Sequence, residues 1–218
     1  MQVNSKQSII ISALLIFIVL PLLLFFLADV PPRTLLKDSI SILTILAFSL
    51  MLQQFFLTRL YTKTSQSFKL SQISTIHKIL GYIILPVFLL HPFLLVAPRF
   101  FEAGVKPLDA LITMLTSFES LGVVLGLIAW GLMFLLGITA IFRYQLVKKF
   151  SVNYKAWRLF HGSLTILFMS LASWHAIDLG RHINLSMAVF MIVFALSGSV
   201  LFTWNHLFKS EKLTGAKR

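Results

Sequence analysis

The sequence predicts an all-α membrane protein, a bundle of six transmembrane helices with both termini in the cytoplasm. Three observations predict it. Of the 218 residues, 58% are hydrophobic, and the mean hydropathy is +0.90. Only 12% are charged, against roughly 25% in a soluble domain. Apolar runs occupy about residues 8–28, 39–58, 76–97, 119–142, 157–177 and 184–206, each near the ~20 residues a helix needs to cross ~30 Å of hydrocarbon.

The first run is longer than the ~7–15-residue core of a secretory signal, and no clear small-x-small cleavage site follows it. Pro21 within it is expected to kink the helix, which a membrane helix tolerates. The remaining runs are joined by short loops, so residues 1–218 form one domain. Residues 98–118, with Pro98, Gly104 and Pro107, leave room for a short interfacial helix.

Basic residues set the orientation. With the N-terminus inside, the inner loops hold fourteen: Lys6, Arg59, Lys63, Lys69, Lys78, Arg143, Lys148, Lys149, Lys155, Arg158, Lys209, Lys212, Lys217 and Arg218. The outer loops hold five: Arg33, Lys37, Arg99, Lys106 and Arg181. This positive-inside bias places both termini in the cytoplasm of a cell (inner or plasma) membrane. The net charge of +12 then reflects topology and attraction to anionic lipid. No basic–aromatic module for nucleic acid is present. The absence of cysteine excludes disulfides, thiolate metal sites, cysteine-ligated iron–sulfur clusters and cysteine-attached heme.

Four of the six histidines form a pattern. His77 and His91 lie in the third run, and His161 and His175 in the fifth, each pair fourteen positions apart. On a helix that spacing is ~40° short of four turns and ~21 Å of axial rise, so the members of each pair share a face at two depths. The third and fifth runs cross in the same direction. His77 and His161 are therefore expected at the inner level, and His91 and His175 at the outer. Imidazole also binds zinc or copper, but a closed site for those metals needs about four ligands. No Asp, Glu or Cys is expected at either depth. A porphyrin supplies four ligands and leaves two axial positions, so the pattern fits two bis-histidine b-type hemes. The competing reading is polar side chains hydrogen-bonding between helices. Ionisable groups at membrane depth are costly and functional by default.

His182, beside Arg181 in an outer loop, is expected to be solvent-exposed. His206, at the inner end of the sixth run near Trp204, is expected to be interfacial. Gly81 and Gly162 would let a flat ring approach the helices, and Pro92 frees a backbone carbonyl beside His91. Arg158 is placed to pair with a heme propionate at the inner level, and Arg99 and Arg181 at the outer. The 21 phenylalanines are expected to face lipid or pack the bundle.

At HKILGY…LLHP, from His77 to Pro92, and YKAWRLFHGSL…SWHAI, from Tyr154 to Ile177, the chain resembles the ferric reductase-like transmembrane domain. That domain occurs in NADPH oxidases, ferric-chelate reductases and the heme-binding partner of the periplasmic methionine sulfoxide reductase. The resemblance covers roughly residues 40–206. It implies two stacked hemes that pass single electrons from inside to outside. The oxidases continue into a cytoplasmic FAD and NADPH domain, whereas this sequence ends about a dozen residues after His206 and has no Gly-rich dinucleotide fingerprint. No FAD or NAD(P) site is therefore expected. Electrons are expected from a separate flavoprotein reductase or a quinol, with a periplasmic protein as one possible acceptor. The alternatives are a single-heme anchor that feeds a periplasmic reductase, and a non-heme transporter using the histidines directly.

Overall fold

The computed structural model describes the backbone of residues 5–59, 68–151 and 153–215, and the side chains of 6–57, 68–151 and 153–204. Every regular element among them is helical. Helix α1 has three contiguous pieces, Ser5–Leu14, a π-helical turn Leu15–Val19, and Leu20–Phe26. The π turn answers the expected kink. Pro21 has no N–H for the Phe17 carbonyl and its ring crowds that turn, so the helix widens by a residue just before it. The other elements are α2 (Leu35–Arg59), α3 (Leu70–Val96), α4 (Pro107–Thr116), α5 (Leu121–Ile141), α6 (Arg143–Lys149), α7 (Tyr154–Leu179) and α8 (Leu185–Gly215). A 3₁₀ turn, Ala97–Phe101, continues α3.

Polar residues cap the N-termini of three helices, and α7 starts three residues ahead of its apolar run. Ser120, Asn153 and Asn184 accept hydrogen bonds from the backbone N–H groups of Val123, Ala156 and Met187, at 3.1, 2.8 and 2.9 Å. Each cap satisfies a donor that the first helical turn leaves without a partner. At α3 the Gln72 side chain reaches back to the Lys69 N–H at 3.0 Å.

Among the described residues five helices are long and apolar enough to cross a membrane: α1, α2, α3, α5 and α8. Helix α7 has 26 residues, ~39 Å at 1.5 Å each, but its two histidines and its serines make it less apolar. Helix α4 occupies the segment where a short interfacial helix was expected. At ten residues it is too short to span. Helix α6 was not expected.

The packing closes a ring. Helix α2 lies against α3, α3 against α5, α5 against α7, α7 against α8, and α8 against α2, while α1 packs outside on α2 and α8. Helices α3 and α7 face each other across this ring with little direct backbone contact. The apolar pattern is inverted relative to a soluble protein, with side chains such as Phe26, Leu135, Leu167 and Val200 exposed on the outside, as a lipid-facing surface requires. Glycines set two of the seams. Gly122 and Gly126, four residues apart on α5, lie against α7, and Gly198 of α8 lies against Phe55 of α2. Small residues at such crossings let backbones approach closely.

The connections after α1, α3 and α7 meet at one end of the bundle. Arg181 donates to the Pro31 carbonyl at 3.0 Å, and Lys37 pairs with Glu102. At the opposite end the Lys6 ammonium lies 4.9 Å from the centre of the Phe68 ring.

The Gly198 seam is testable. A Cβ there would sit 2.8 Å from Phe55 Cβ, an atom fixed to its backbone, whereas one at Gly131 would meet nothing within 4 Å. Gly198→Ala should destabilise the protein in detergent by about 1–3 kcal/mol, read as a lower Tm by circular dichroism. Gly131→Ala should leave Tm unchanged or slightly raised.

Candidate functional site

The four histidines on α3 and α7 meet in the expected pairs. His77 faces His161 with ring centres 6.4 Å apart and planes at 78°. His91 faces His175 at the same 6.4 Å, with planes at 89°. Rings in edge-to-face contact lie about 4.5–7 Å apart, and the same separation also admits a metal ion between the rings. One metal ion between them needs about 2.0 Å to each nitrogen and about 1.15 Å from nitrogen to ring centre, or about 6.3 Å in all. No group of three or more His, Cys, Asp or Glu side chains suited to a metal occurs among the described residues.

At the outer level the protonation of His175 follows from its partner. Nδ1 lies 2.8 Å from the Gly122 carbonyl oxygen. A carbonyl only accepts, so Nδ1 carries the proton and Nε2 carries the lone pair. This is the tautomer a metal ligand needs, and the hydrogen bond also fixes the ring's direction. Gly126 makes room for the ring, because a Cβ there would overlap it. On the facing helix, Trp130 Nε1 donates to the Leu89 carbonyl at 3.1 Å, in the turn that Pro92 loosens. His91 Nδ1 is buried and has no hydrogen-bond partner.

A cavity of about 520 Å³ opens at this level, lined by both His91 and His175. Its size lies within the ~300–1,000 Å³ of pockets that enclose drug-sized ligands and cofactors. Its walls include Phe48, Phe88, Trp130, Met133, Phe168 and Met191, from all five helices of the ring. His77 and His161 are not part of its lining. Phe168 stands midway in sequence between His161 and His175. It is 2% exposed and packs edge-to-face on Phe88 at 6.0 Å, so this aromatic pair separates the two levels.

The inner level is built differently. Trp157, one turn before His161, lies nearly parallel to its ring at 5.8 Å and 30°. Thr165 donates to the His161 carbonyl at 2.7 Å, and Gln54 of α2 to the His77 carbonyl at 3.3 Å. Gly162 receives the Phe202 ring of α8, so its space serves helix packing and not a ligand. Gly81 has open space where a Cβ would be.

The expected arginines divide. Arg99 and Arg181 line the outer cavity, together with Arg33 and Lys37. Arg158 is exposed, with its guanidinium 5.9 Å from the centre of the Tyr154 ring. The His206 side chain lies outside the described residues.

Two expectations are corrected. His182 is not solvent-exposed: it is 7% exposed, because the turn after α7 folds it onto Phe25 of α1 with rings 4.2 Å apart. Helical residues also include carboxylates, Asp38 in the first turn of α2 and Asp178 in the last turn of α7, both at the outer end. Sequence reasoning missed Gly122, Gly126 and Trp130. The first two carry a readable signal, the small-xxx-small spacing in an apolar helix. The role of Trp130 depends on the α3–α5 crossing and has no local signal.

A protein of Archaeoglobus fulgidus, described only as uncharacterized, is 36% identical over 166 residues, which cover 76% of this chain and 88% of that one. No solved structure matches the chain. Residues 43–172 match the family described as ferric reductase like transmembrane component. That segment spans more than half of the chain and contains His77, His91 and His161, with His175 three residues beyond its end, and the chain belongs to this family of transmembrane oxidoreductase-type proteins.

Proposed function

We propose that this chain moves single electrons across a cell membrane through two b-type hemes, one held by His77 and His161 and the other by His91 and His175. The observation that carries the reading is the recurrence of the same 6.4 Å separation at both imidazole pairs, a spacing into which one iron would fit at each level, with the outer pair lining a cavity. The outer cavity supplies room for a flat macrocycle, and its apolar walls suit one. In this reading α7 is the sixth span. Its two histidines face α3, while Ser170 on its exposed side bonds its own helix at the Ile166 carbonyl, which a membrane helix tolerates.

When bound, heme supplies the one-electron couple; the protein sets its position and potential. His175 presents Nε2 because Gly122 holds its Nδ1 proton. Trp157 and the Phe88–Phe168 pair keep the histidine levels dry and apart. Arg99 and Arg181 at the cavity mouth, and Arg158 three residues before His161, offer guanidinium groups to propionates. The basic bias of the sequence sets both termini in the cytoplasm and the flow from inside to outside. A negative interior then favours electron exit by up to ~2.3 kcal/mol per charge per 100 mV. The donor is a separate flavoprotein reductase or a quinol, and the acceptor is on the outer side.

One observation favours a second reading, a single-heme subunit that feeds a periplasmic reductase. The large cavity reaches only the outer pair.

Heme stoichiometry separates the readings. Wild-type protein should carry two hemes by pyridine hemochrome assay. His77→Ala or His161→Ala should leave about one, as should His91→Ala or His175→Ala. One substitution from each level should remove both, and truncating both members of one level should be no worse than truncating one. Gly126→Leu should displace the His175 ring and cost the outer heme alone. One heme in the wild type would establish the single-heme form. None, after expression with ample heme, would defeat the proposal.

Topology is checked with C-terminal fusions. A cytoplasmic C-terminus predicts a fluorescent green fluorescent protein fusion and an inactive alkaline phosphatase fusion. The reverse pattern would invert the direction of electron flow.

A further inference from the structure

His182 is a buried imidazole that the electron path does not use. It is 7% exposed, and both of its ring nitrogens are buried without a hydrogen-bond partner. It lines the same cavity as His91 and His175. Its Nε2 is 3.8 Å from Asp38 Oδ1, beyond hydrogen-bond reach but close enough that a small ring movement would join them. Packing alone would be served by an apolar side chain, which would leave no ring nitrogen buried without a partner.

The charges around the ring come from three directions. Arg33 and Asp38 face it from the start of α2, where Asp38 accepts from the Arg33 backbone N–H at 3.1 Å and from Nε at 3.4 Å. Arg181 is its neighbour in the turn. From α1 the contact is the Phe25 ring. Lys37 and Arg99 line the same end of the cavity, with Lys37 tied to Glu102. Burial, then Arg33 and Arg181, hold the imidazole below its ordinary range, while Asp38 pulls the other way. Near neutral pH the ring is therefore uncharged at rest.

We propose that His182 is the proton-accepting group of the outer electron site. It takes one proton from the outer water when one electron reaches the His91–His175 level, and returns it when that electron leaves for the acceptor. The inference rests on the heme reading above. The balance is one electron from the flavoprotein or quinol donor and one proton from solvent, so the charge of the cavity is the same before and after. The physical reason is the low dielectric. An added negative charge in an apolar cavity raises the proton affinity of a nearby buried base. The Asp38 carboxylate, 3.8 Å from Nε2, would receive the new N–H after a small ring movement, and Arg33 holds that carboxylate in place through its backbone N–H and Nε.

The test is a redox titration of the purified two-heme protein between about pH 5.5 and 8.5, either side of the ordinary imidazole range. One heme potential should fall as pH rises, approaching ~59 mV per unit for one proton per electron, while the other stays nearly flat. In His182→Gln both hemes should remain and the slope should be lost. An unchanged slope in that variant would assign the proton to another group, such as a propionate, and overturn the proposal. Flat potentials in the wild type would overturn it as well, and would leave the heme reading intact. If His182→Gln does not fold, proton uptake on reduction can be followed in the wild type with an indicator dye. Uptake should approach one proton per outer-level electron and vanish in His91→Ala, which retains only the inner site. No uptake in the wild type, or full uptake in His91→Ala, would refute it. A wild type without heme would instead remove the preceding reading.

Discussion

The structure depends on keeping two helices apart. Apolar helices in a bundle close up until their side chains interlock, and α3 and α7 do not. Their histidines face each other at 6.4 Å at two depths, with little backbone contact between the helices. The gap is held by the rest of the ring. The seam between α5 and α7 is drawn tight at Gly122 and Gly126, and the seam between α2 and α8 at Gly198. Close contact at those seams fixes the circumference, and the spare width falls across the middle, where the imidazoles are. The same two glycines serve the ligand geometry, since Gly122 gives the carbonyl that orients His175 and Gly126 gives its ring space.

The two levels differ in their surroundings, and the difference bears on how each would tune an electron. The outer level opens into a cavity whose mouth carries Arg33, Lys37, Arg99 and Arg181. Two of these cations are compensated, Arg33 by Asp38 and Lys37 by Glu102. The Glu102 carboxyl is held below its usual range first by the hydrogen bond from Lys37, against the effect of burial. The inner level is bordered by Trp157 and by the packed Phe202 ring near Gly162. Positive charge near a site stabilises an added electron, and both levels have it: Lys78 follows His77 and Arg158 precedes His161 at the inner level, while Arg99 and Arg181 line the outer cavity.

Much of this architecture was legible because it rests on local spacing. Fourteen residues between histidines fixes a shared face and two depths whatever the helix packs against. The pairing of the levels then follows from alternating helix direction, and the family match over residues 43–172 covers α3 and most of α7, up to three residues before His175. Other features were not legible because they depend on chain ends brought together in space. His182 sits beside Arg181 in a polar turn, and nothing within that turn indicates Phe25, more than 150 positions earlier, as its neighbour. Hydropathy alone leaves α7 outside the five candidate spans among the described residues. An average along the helix counts an inward histidine against a span as heavily as an outward one, although only the outward one would meet lipid.

The burial of His182 connects the two ends of this reasoning. An electron entering an apolar cavity brings a charge that hydrocarbon cannot solvate, and the protein has few means of offsetting it. Fixed cations help but act equally before and after, so they set the potential without responding to the electron. A neutral imidazole next to a carboxylate does respond, because its charge follows that of its surroundings. Asp38 is already engaged by Arg33 at 3.1 and 3.4 Å, and Lys37 by Glu102. His182, with both ring nitrogens buried and without a partner, is the side chain at that end of the cavity placed to take up a proton as the electron arrives.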